Sequence, residues 1–313
     1  MLIIILYLMT DNDLLKLENE LNKGSNEPFK ITKDGIDYLI QRYLNRKFTE
    51  DIDYIERCEG VQFFESGLAT SIEKGLVETS EKQDLRIQEF DSNEAPPEDP
   101  VRFCPFFIES MMDKIIIILM CCAVVELVIG PVFEEDNKAL SWIDGASIIV
   151  AVAVVTLVGS INNYNKEIEF QKMKKENHKE RTIYIRRNCE WIEDSEESVL
   201  VGDIIKIESG MTIPVDSLLV EGFAEIDESA MTGEIDPILK ITYEAGIEKR
   251  KEVKEKYNKL GKHISHAHHD VESPIILSGT QVNSGDGAAL VLAVGGNSEN
   301  GKIRETINAN KSS

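Results

Sequence analysis

The spacing of apolar and polar positions changes several times along this chain, and each change predicts a different element. Between Ile36 and Phe48 the residues IDYLIQRYLNRKF place Ile36, Leu39, Ile40, Tyr43 and Leu44 on one helical face. Val61–Leu76 reads as a second short amphipathic segment and Lys82–Phe90 as a third. Pro96, Pro97, Pro100 and Pro105 then interrupt the pattern across Asn93–Pro105. Two long apolar runs follow. Ile115–Phe133 is apolar except for Glu126, and its length matches the hydrocarbon core of a bilayer. Ile143–Ile161 is apolar with one acid, Asp144, near its start. The connector Glu134–Trp142 is too short to hold a domain, so the pair predicts a tight helical hairpin across a membrane.

Asn162–Glu180 is rich in Lys and Glu without a breaker and predicts a helical stalk. From Thr182 the pattern turns to strands. Thr182–Arg187, Val199–Ile207, Leu218–Phe223, Ile275–Val282 and Ala288–Val294 are short runs of Val, Ile and Leu between Gly, Pro, Asn and Asp turns. Pro214 fits a turn or edge, where its missing N–H costs little. This spacing argues for a compact β domain of jelly-roll or distorted-sandwich type. The expected fold is mixed: a two-helix transmembrane hairpin plus a β-rich cytosolic domain with N-terminal helices. Its parts are an acidic N-terminal region (1–92), a proline-rich lead-in (93–114), the hairpin (115–133 and 143–161), the stalk (162–181), the β domain (182–307) and a tail (308–313).

Charge gives the orientation and excludes one class of partner. The formal net charge is −22, which disfavours binding to a phosphate backbone, so no nucleic-acid partner is expected. The connector carries only Lys138 as a basic residue, whereas Lys166, Lys172, Lys174, Lys175, Lys179, Arg181, Arg186 and Arg187 follow the second span. Basic residues stay cytosolic, so both large flanks should be cytosolic and the connector external or lumenal. Membrane lipid is the first expected partner. Glu126, near mid-span, is a candidate for function by its position alone, and a carboxyl without consequence is the competing reading. The five cysteines, Cys58, Cys104, Cys121, Cys122 and Cys189, form no C-x-x-C pair and suit neither a disulfide framework nor a zinc site. Met1–Met9 is apolar but lacks a basic n-region and a cleavage site, and reads as a weak strand or a false start rather than a signal peptide.

An insertion, Glu244–Asp270, opens with a charged, helix-like run over Ile247–Leu260. It ends in His263, His266, His268 and His269. Clustered imidazoles suit zinc or copper. No carboxylate or thiol framework fixes a geometry here, so a mobile, solvated surface loop is expected and no metal ligand is assigned.

The residues that carry chemistry lie at Asp227-Glu228-Ser229-Ala230-Met231-Thr232-Gly233-Glu234, downstream of Val201-Gly202-Asp203-Ile204 and Pro214-Val215-Asp216. This order resembles the actuator domain of P-type ATPases, ion pumps that work through an aspartyl-phosphate intermediate. Further similar stretches are Ile275–Val282, Gly285-Asp286-Gly287, Val294–Ser298 and Gly301-Lys302-Ile303. Trp142–Ala146 is similar to the calcium pumps of the plasma-membrane type. The resemblance covers about residues 60–307, weakly before the first span and strongly after it. It implies that Thr232, Gly233 and Glu234 form a catalytic loop that acts on the phosphorylated aspartate, with Glu234 orienting the hydrolytic water. The glycine would let backbone approach a phosphoryl group without a side chain between them. Departures are Met211 where the family usually has Asp, Ser217 where it has Gly, and Ile235 where a small polar residue is common.

The same resemblance implies magnesium and ATP as cofactors of the full-length family member, with none bound by this chain. It implies the phosphorylation and nucleotide-binding domains and a calcium ion as partners. The family's Asp-Lys-Thr-Gly-Thr motif occurs nowhere here, so this polypeptide alone is expected neither to hydrolyse ATP nor to pump. The expectation is an N-terminal part of a calcium-transporting pump in the plasma membrane or an endomembrane. The alternatives are a shortened, non-catalytic paralogue that binds or regulates a full pump, and a pump of another ion.

Overall fold

The computed structural model describes residues 29–44, 50–77, 79–94, 100–133, 142–179, 181–233, 235–259 and 271–311. These fall into two compact units. One is built from residues up to 95 and from 179 onward, the other from 96–178. The apolar N-terminus, the connector with Lys138 and the four clustered histidines lie outside the described residues.

The first unit is built on an antiparallel sheet. Its strands are β1 (Thr182–Arg187), β2 (Glu190–Ser195), β3 (Ile204–Glu208), β4 (Asp216–Asp227), β5 (Ile238–Ile241), β6 (Ile275–Ile276) and β7 (Gln281–Ala293). The order across the sheet is β2-β1-β3-β7-β4-β5, with β6 also paired to β4. Strands β4 and β7 form its spine, in register from Asp216↔Ala293 to Asp227↔Gln281 with three irregularities. The β1–β2 hairpin closes on Asn188 and Cys189, both at positive φ (51° and 68°), the backbone that matches strand twist in a two-residue turn. Ile204, Ile205, Ile207, Leu218, Leu219, Ile226, Val282 and Leu290 to Leu292 supply its buried aliphatic surface.

Helices from the N-terminal segment cover this core. They are α1 (Lys33–Leu44), α2 (Glu50–Arg57), α3 (Val61–Gly67) and α4 (Ser80–Phe90). Ile36, Leu39, Ile40 and Tyr43 of α1 are buried, the face expected from their spacing, as are Ile52, Tyr54 and Ile55 of α2. From α4, the fully buried Arg86 donates to the carbonyls of Leu68 and Val201 at 2.8 and 2.7 Å, and its guanidinium lies 4.8 Å from the Phe29 ring centroid. A buried guanidinium needs such partners, and here they tie the N-terminal helices to the turn that precedes β3. The acidic N-terminal segment is thus part of the sheet unit as well as a solvated surface.

The helix-like start of the insertion is a helix, α9 (Tyr243–Lys259), which begins four residues before the expected run. It is not part of a mobile surface loop. Arg250, nearly buried, pairs with Asp53 and with Glu56 (2.6 Å) of α2, and Lys249 pairs with Glu272. Charged residues that read as solvent-facing in sequence therefore fasten this helix to its neighbours. The unit closes with α10 (Glu299–Lys311), after the short α8 (Ser229–Thr232) described below.

The second unit contains α5 (Phe103–Met111), α6 (Lys114–Phe133) and α7 (Trp142–Lys179). Helix α5 starts inside the proline-rich lead-in. Pro105 falls in its first turn, where a missing N–H breaks no helical bond. The expected second span and stalk are one continuous 38-residue helix. Gly145 lets α7 approach α6: a Cβ there would lie 2.8 Å from Leu127 and 2.9 Å from the Ala123 carbonyl. Ser160 donates back to the Thr156 carbonyl at 2.6 Å, and Phe103 and Phe106 meet Tyr164 edge-on. Most apolar side chains of this unit are exposed, among them Ile115, Ile118, Val128, Val150, Val155 and Val158. Glu126 is exposed too. Among the described residues, one helix, Trp142–Glu176, is long and apolar enough to cross a membrane by length and composition.

Candidate functional site

Strand β4 ends at Asp227, and the loop of interest begins there. The Asp227 carboxylate accepts the Ser229 N–H at 2.9 Å, which turns the chain into α8. Hydrogen bonding from the Ser229 side chain and then its backbone holds the Asp227 carboxyl below its usual range. The carbonyl of Glu228 is the hub of the turn. It accepts the N–H groups of Met231 (2.9 Å) and Thr232 (2.8 Å), and the Thr232 hydroxyl (3.0 Å). The helix stops at Gly233, whose N–H bonds the Ser229 carbonyl at 3.0 Å with φ 76° and ψ 5°. That left-handed backbone favours glycine.

Among the described residues, and apart from its chain neighbours, nothing comes within 4 Å of where a Gly233 Cβ would sit. The glycine is therefore demanded by its backbone angle, and it leaves that side of the loop open. Ser229, Ala230 and Gly233 are exposed, Thr232 is half-buried, and Ile235 is 88 % exposed. Thr232 and Gly233 thus stand together at the rim of the sheet unit. Glu234 lies outside the described residues.

Beneath the rim is a buried polar cluster that sequence reading did not find. The Glu228 side chain is fully buried and lies 2.7 Å from the ammonium of Lys240, itself fully buried on β5. Tyr43 of α1 donates its hydroxyl to the other Glu228 oxygen and accepts from Lys240 at 2.6 Å. Tyr43 and Glu228 are 185 positions apart, so no local spacing signals the contact.

The flanking motifs are structural anchors. Asp203 is buried and accepts from Arg187 Nε (2.8 Å), Arg187 Nη2 (2.5 Å) and the Leu200 N–H (2.8 Å). Burial still raises its pKa. Asp216 is buried at the start of β4 and accepts the backbone N–H of Ser278 (2.6 Å) and of Glu299 (2.8 Å), the first residue of α10. Desolvation pushes its carboxyl up to about 6. Two of the three departures, Met211 and Ser217, fall on these motifs. The Met211 thioether accepts the Glu208 N–H at 3.2 Å, so a weak sulfur acceptor serves this turn. Ser217 adopts a negative-φ strand conformation, and its buried hydroxyl finds no partner among the described residues.

Among the described residues, no three His, Cys, Asp or Glu side chains converge as a metal site, and no disulfide joins the cysteines. The described residues therefore offer no donor set for magnesium.

Comparison with known proteins agrees with this geometry. Residues 177–308 match the model of the P-type ATPase actuator domain. Residues 60–126 match that of the cation transporter/ATPase N-terminus. The chain is 32 % identical to plasma membrane calcium-transporting ATPase 4 of Homo sapiens, over 80 % of its own length and 20 % of that protein's. It is 28 % identical to calcium-transporting ATPase 2 of Saccharomyces cerevisiae over 96 % of its length and 27 % of the relative's. It is 27 % identical to the plasma membrane-type calcium-transporting ATPase 9 of Arabidopsis thaliana over 93 % and 24 %. The chain thus spans roughly a quarter of the length of these relatives.

Proposed function

Because this chain belongs to the P-type ATPase family, we propose that it forms the actuator-bearing, membrane-attached N-terminal part of a calcium-transporting pump. In this reading the Thr232-Gly233-Glu234 loop drives hydrolysis of an aspartyl phosphate carried by another domain. The observation that carries it is the build of the loop: fixed at Glu228, open at Gly233, and presented at the rim of a rigid sheet. Such a loop can be applied to a reactive group on a separate surface. Glu234 would hold a water in line with the phosphorus and take its proton as the water oxygen attacks. The P–O bond to the aspartate then breaks, releasing phosphate and restoring the carboxylate. Gly233 contributes by having no side chain, so backbone can come close to the phosphoryl oxygens.

Helices α6 and α7 would cross the membrane as a hairpin, with basic residues of the α7 stalk on the cytosolic side. The sheet would close as the distorted jelly roll that the strand spacing predicts. Calcium is favoured as the ion because the relatives are calcium-transporting ATPases by name. Magnesium and ATP, used generally by the family, would act on the other domains of the pump.

The test is made in a complete pump that carries this region. Glu234→Gln should let the phosphoenzyme form normally and slow its breakdown by about 10²–10⁴-fold, the range for loss of a general base. Unchanged release of phosphate in a single-turnover assay would remove Glu234 from this role.

A further inference from the structure

Thr232 is linked to the N-terminal helix α1 through the buried cluster. Tyr43 stands in the last turn of α1, Glu228 just before α8, and Lys240 on β5. The Tyr43 hydroxyl donates to Glu228 Oε2. Lys240 Nζ donates to that hydroxyl at 2.6 Å, stands 2.7 Å from Glu228 Oε1, and lies 4.1 Å from the Tyr43 ring centroid. Glu228 then reaches the motif through its own carbonyl, which accepts both the N–H and the hydroxyl of Thr232. One residue thus joins the cluster below to the catalytic loop above.

The chemistry of the cluster argues for positioning. Removing a carboxylate and an ammonium from water costs several kcal/mol each, and apolar side chains of similar volume often stabilise as well or better. What a close ion pair adds is a single permitted arrangement, because any slippage leaves a charge buried without its partner; Glu228 Oε1 is held by the nearby Lys240 charge at 2.7 Å rather than by a hydrogen bond. The apolar residues around this cluster would not by themselves choose one orientation for the turn at Glu228.

We propose that Tyr43, Glu228 and Lys240 are positioning residues that hold the turn at Thr232-Gly233 from beneath, so that helix α1 sets the geometry of that turn. The catalytic consequence rests on the function proposed above; the mechanical link does not. A displacement of α1 would reach Thr232 through Glu228.

Hydrogen exchange of the whole chain, read by mass spectrometry, tests the link. Tyr43→Phe keeps the ring and removes only the hydroxyl. Exchange at Met231 to Gly233 should rise about 10-fold, the scale of one hydrogen bond to a charged group, while amides of β3 and β7 stay unchanged. Glu228→Gln keeps the side-chain shape and should loosen the same amides; it also serves if Tyr43→Phe does not fold. Two results overturn the proposal: a loop unaffected in both variants, or an equal rise throughout the sheet, which marks mere destabilisation. In a complete pump, Tyr43→Phe should slow phosphoenzyme breakdown about 10-fold and leave its formation unchanged. The exchange experiment needs no chemistry, so the two ideas fail separately. A loosened loop with an inert Glu234→Gln sinks the catalytic role alone, and an unaffected loop with a slow Glu234→Gln sinks the link alone.

Discussion

The two compact units of this chain use the same aliphatic residues in opposite ways. In the sheet unit, Ile205, Leu218, Ile226 and Leu290 are wholly buried, and the acids and bases that enter that core, Asp203, Asp216, Glu228 and Lys240, all find partners. In the helical unit, Val150, Val154, Val155 and Val158 of α7 are turned outward, and buried apolar residues are few, Ala123 and Val152 among them. We attribute the difference to what solvates each surface: water forces the sheet unit to close, whereas in the proposed membrane setting an apolar medium would let helices show their side chains, with the backbone satisfied by helix formation alone.

Truncation in the two places is the sharpest way to break this comparison. Leu218→Ala empties space in a packed core and should cost the sheet unit about 2–5 kcal/mol. Val155→Ala removes atoms that touch no core and should change the same unfolding transition by less than about 0.5 kcal/mol. Urea unfolding followed by Trp191 fluorescence on β2 checks both. Similar losses from the two substitutions would deny that the helical unit lacks a water-excluding core.

A smaller effect sharpens the polar side. The Asp216 carboxyl sits near 6 because burial disfavours its charge. Below about pH 4 it is neutral in the folded and unfolded chain alike, and its contribution to stability is complete. As pH rises through 6 the unfolded chain gains from ionising a carboxyl that the folded chain keeps protonated or holds at a cost. Stability should then fall by up to about 3 kcal/mol between pH 4 and pH 7 from this group. Burial raises Asp51 and Asp203 in the same direction. Asp216→Asn cannot titrate and should flatten the curve over that window. A variant whose stability tracks the wild type in parallel from pH 4 to pH 7 contradicts the assignment.

Much of this architecture is legible in the residues. Strand β1 runs from Thr182 to Arg187 as expected, because Ile183 and Ile185 alternate with outward side chains. The face of α1 and the Asp227–Glu234 motif are readable for similar reasons: local spacing carries them. Strand β2, Glu190–Ser195, escapes notice because all its side chains are exposed or half-buried and its acids suit the edge it occupies. Helix α2, EDIDYIER, escapes because five of its eight residues are charged, although Ile52, Tyr54 and Ile55 are buried. The support under the Thr232-Gly233 turn is illegible in principle. Tyr43 meets Lys240 across 197 positions, and only the folded sheet brings them together.

The central contrast can be measured at two positions of near-equal exposure. Val155 on α7 is 61 % exposed and Phe223 on β4 is 53 % exposed. Single cysteines at these positions, in a cysteine-free chain reconstituted into bilayers, can carry spin labels whose collisions with oxygen and with a water-soluble nickel complex are compared. The label at 155 should collide mainly with oxygen, which concentrates in lipid, and the label at 223 mainly with the nickel complex. Equal access of the nickel complex to both labels would contradict the account, since the exposed aliphatic face of α7 would then be facing water.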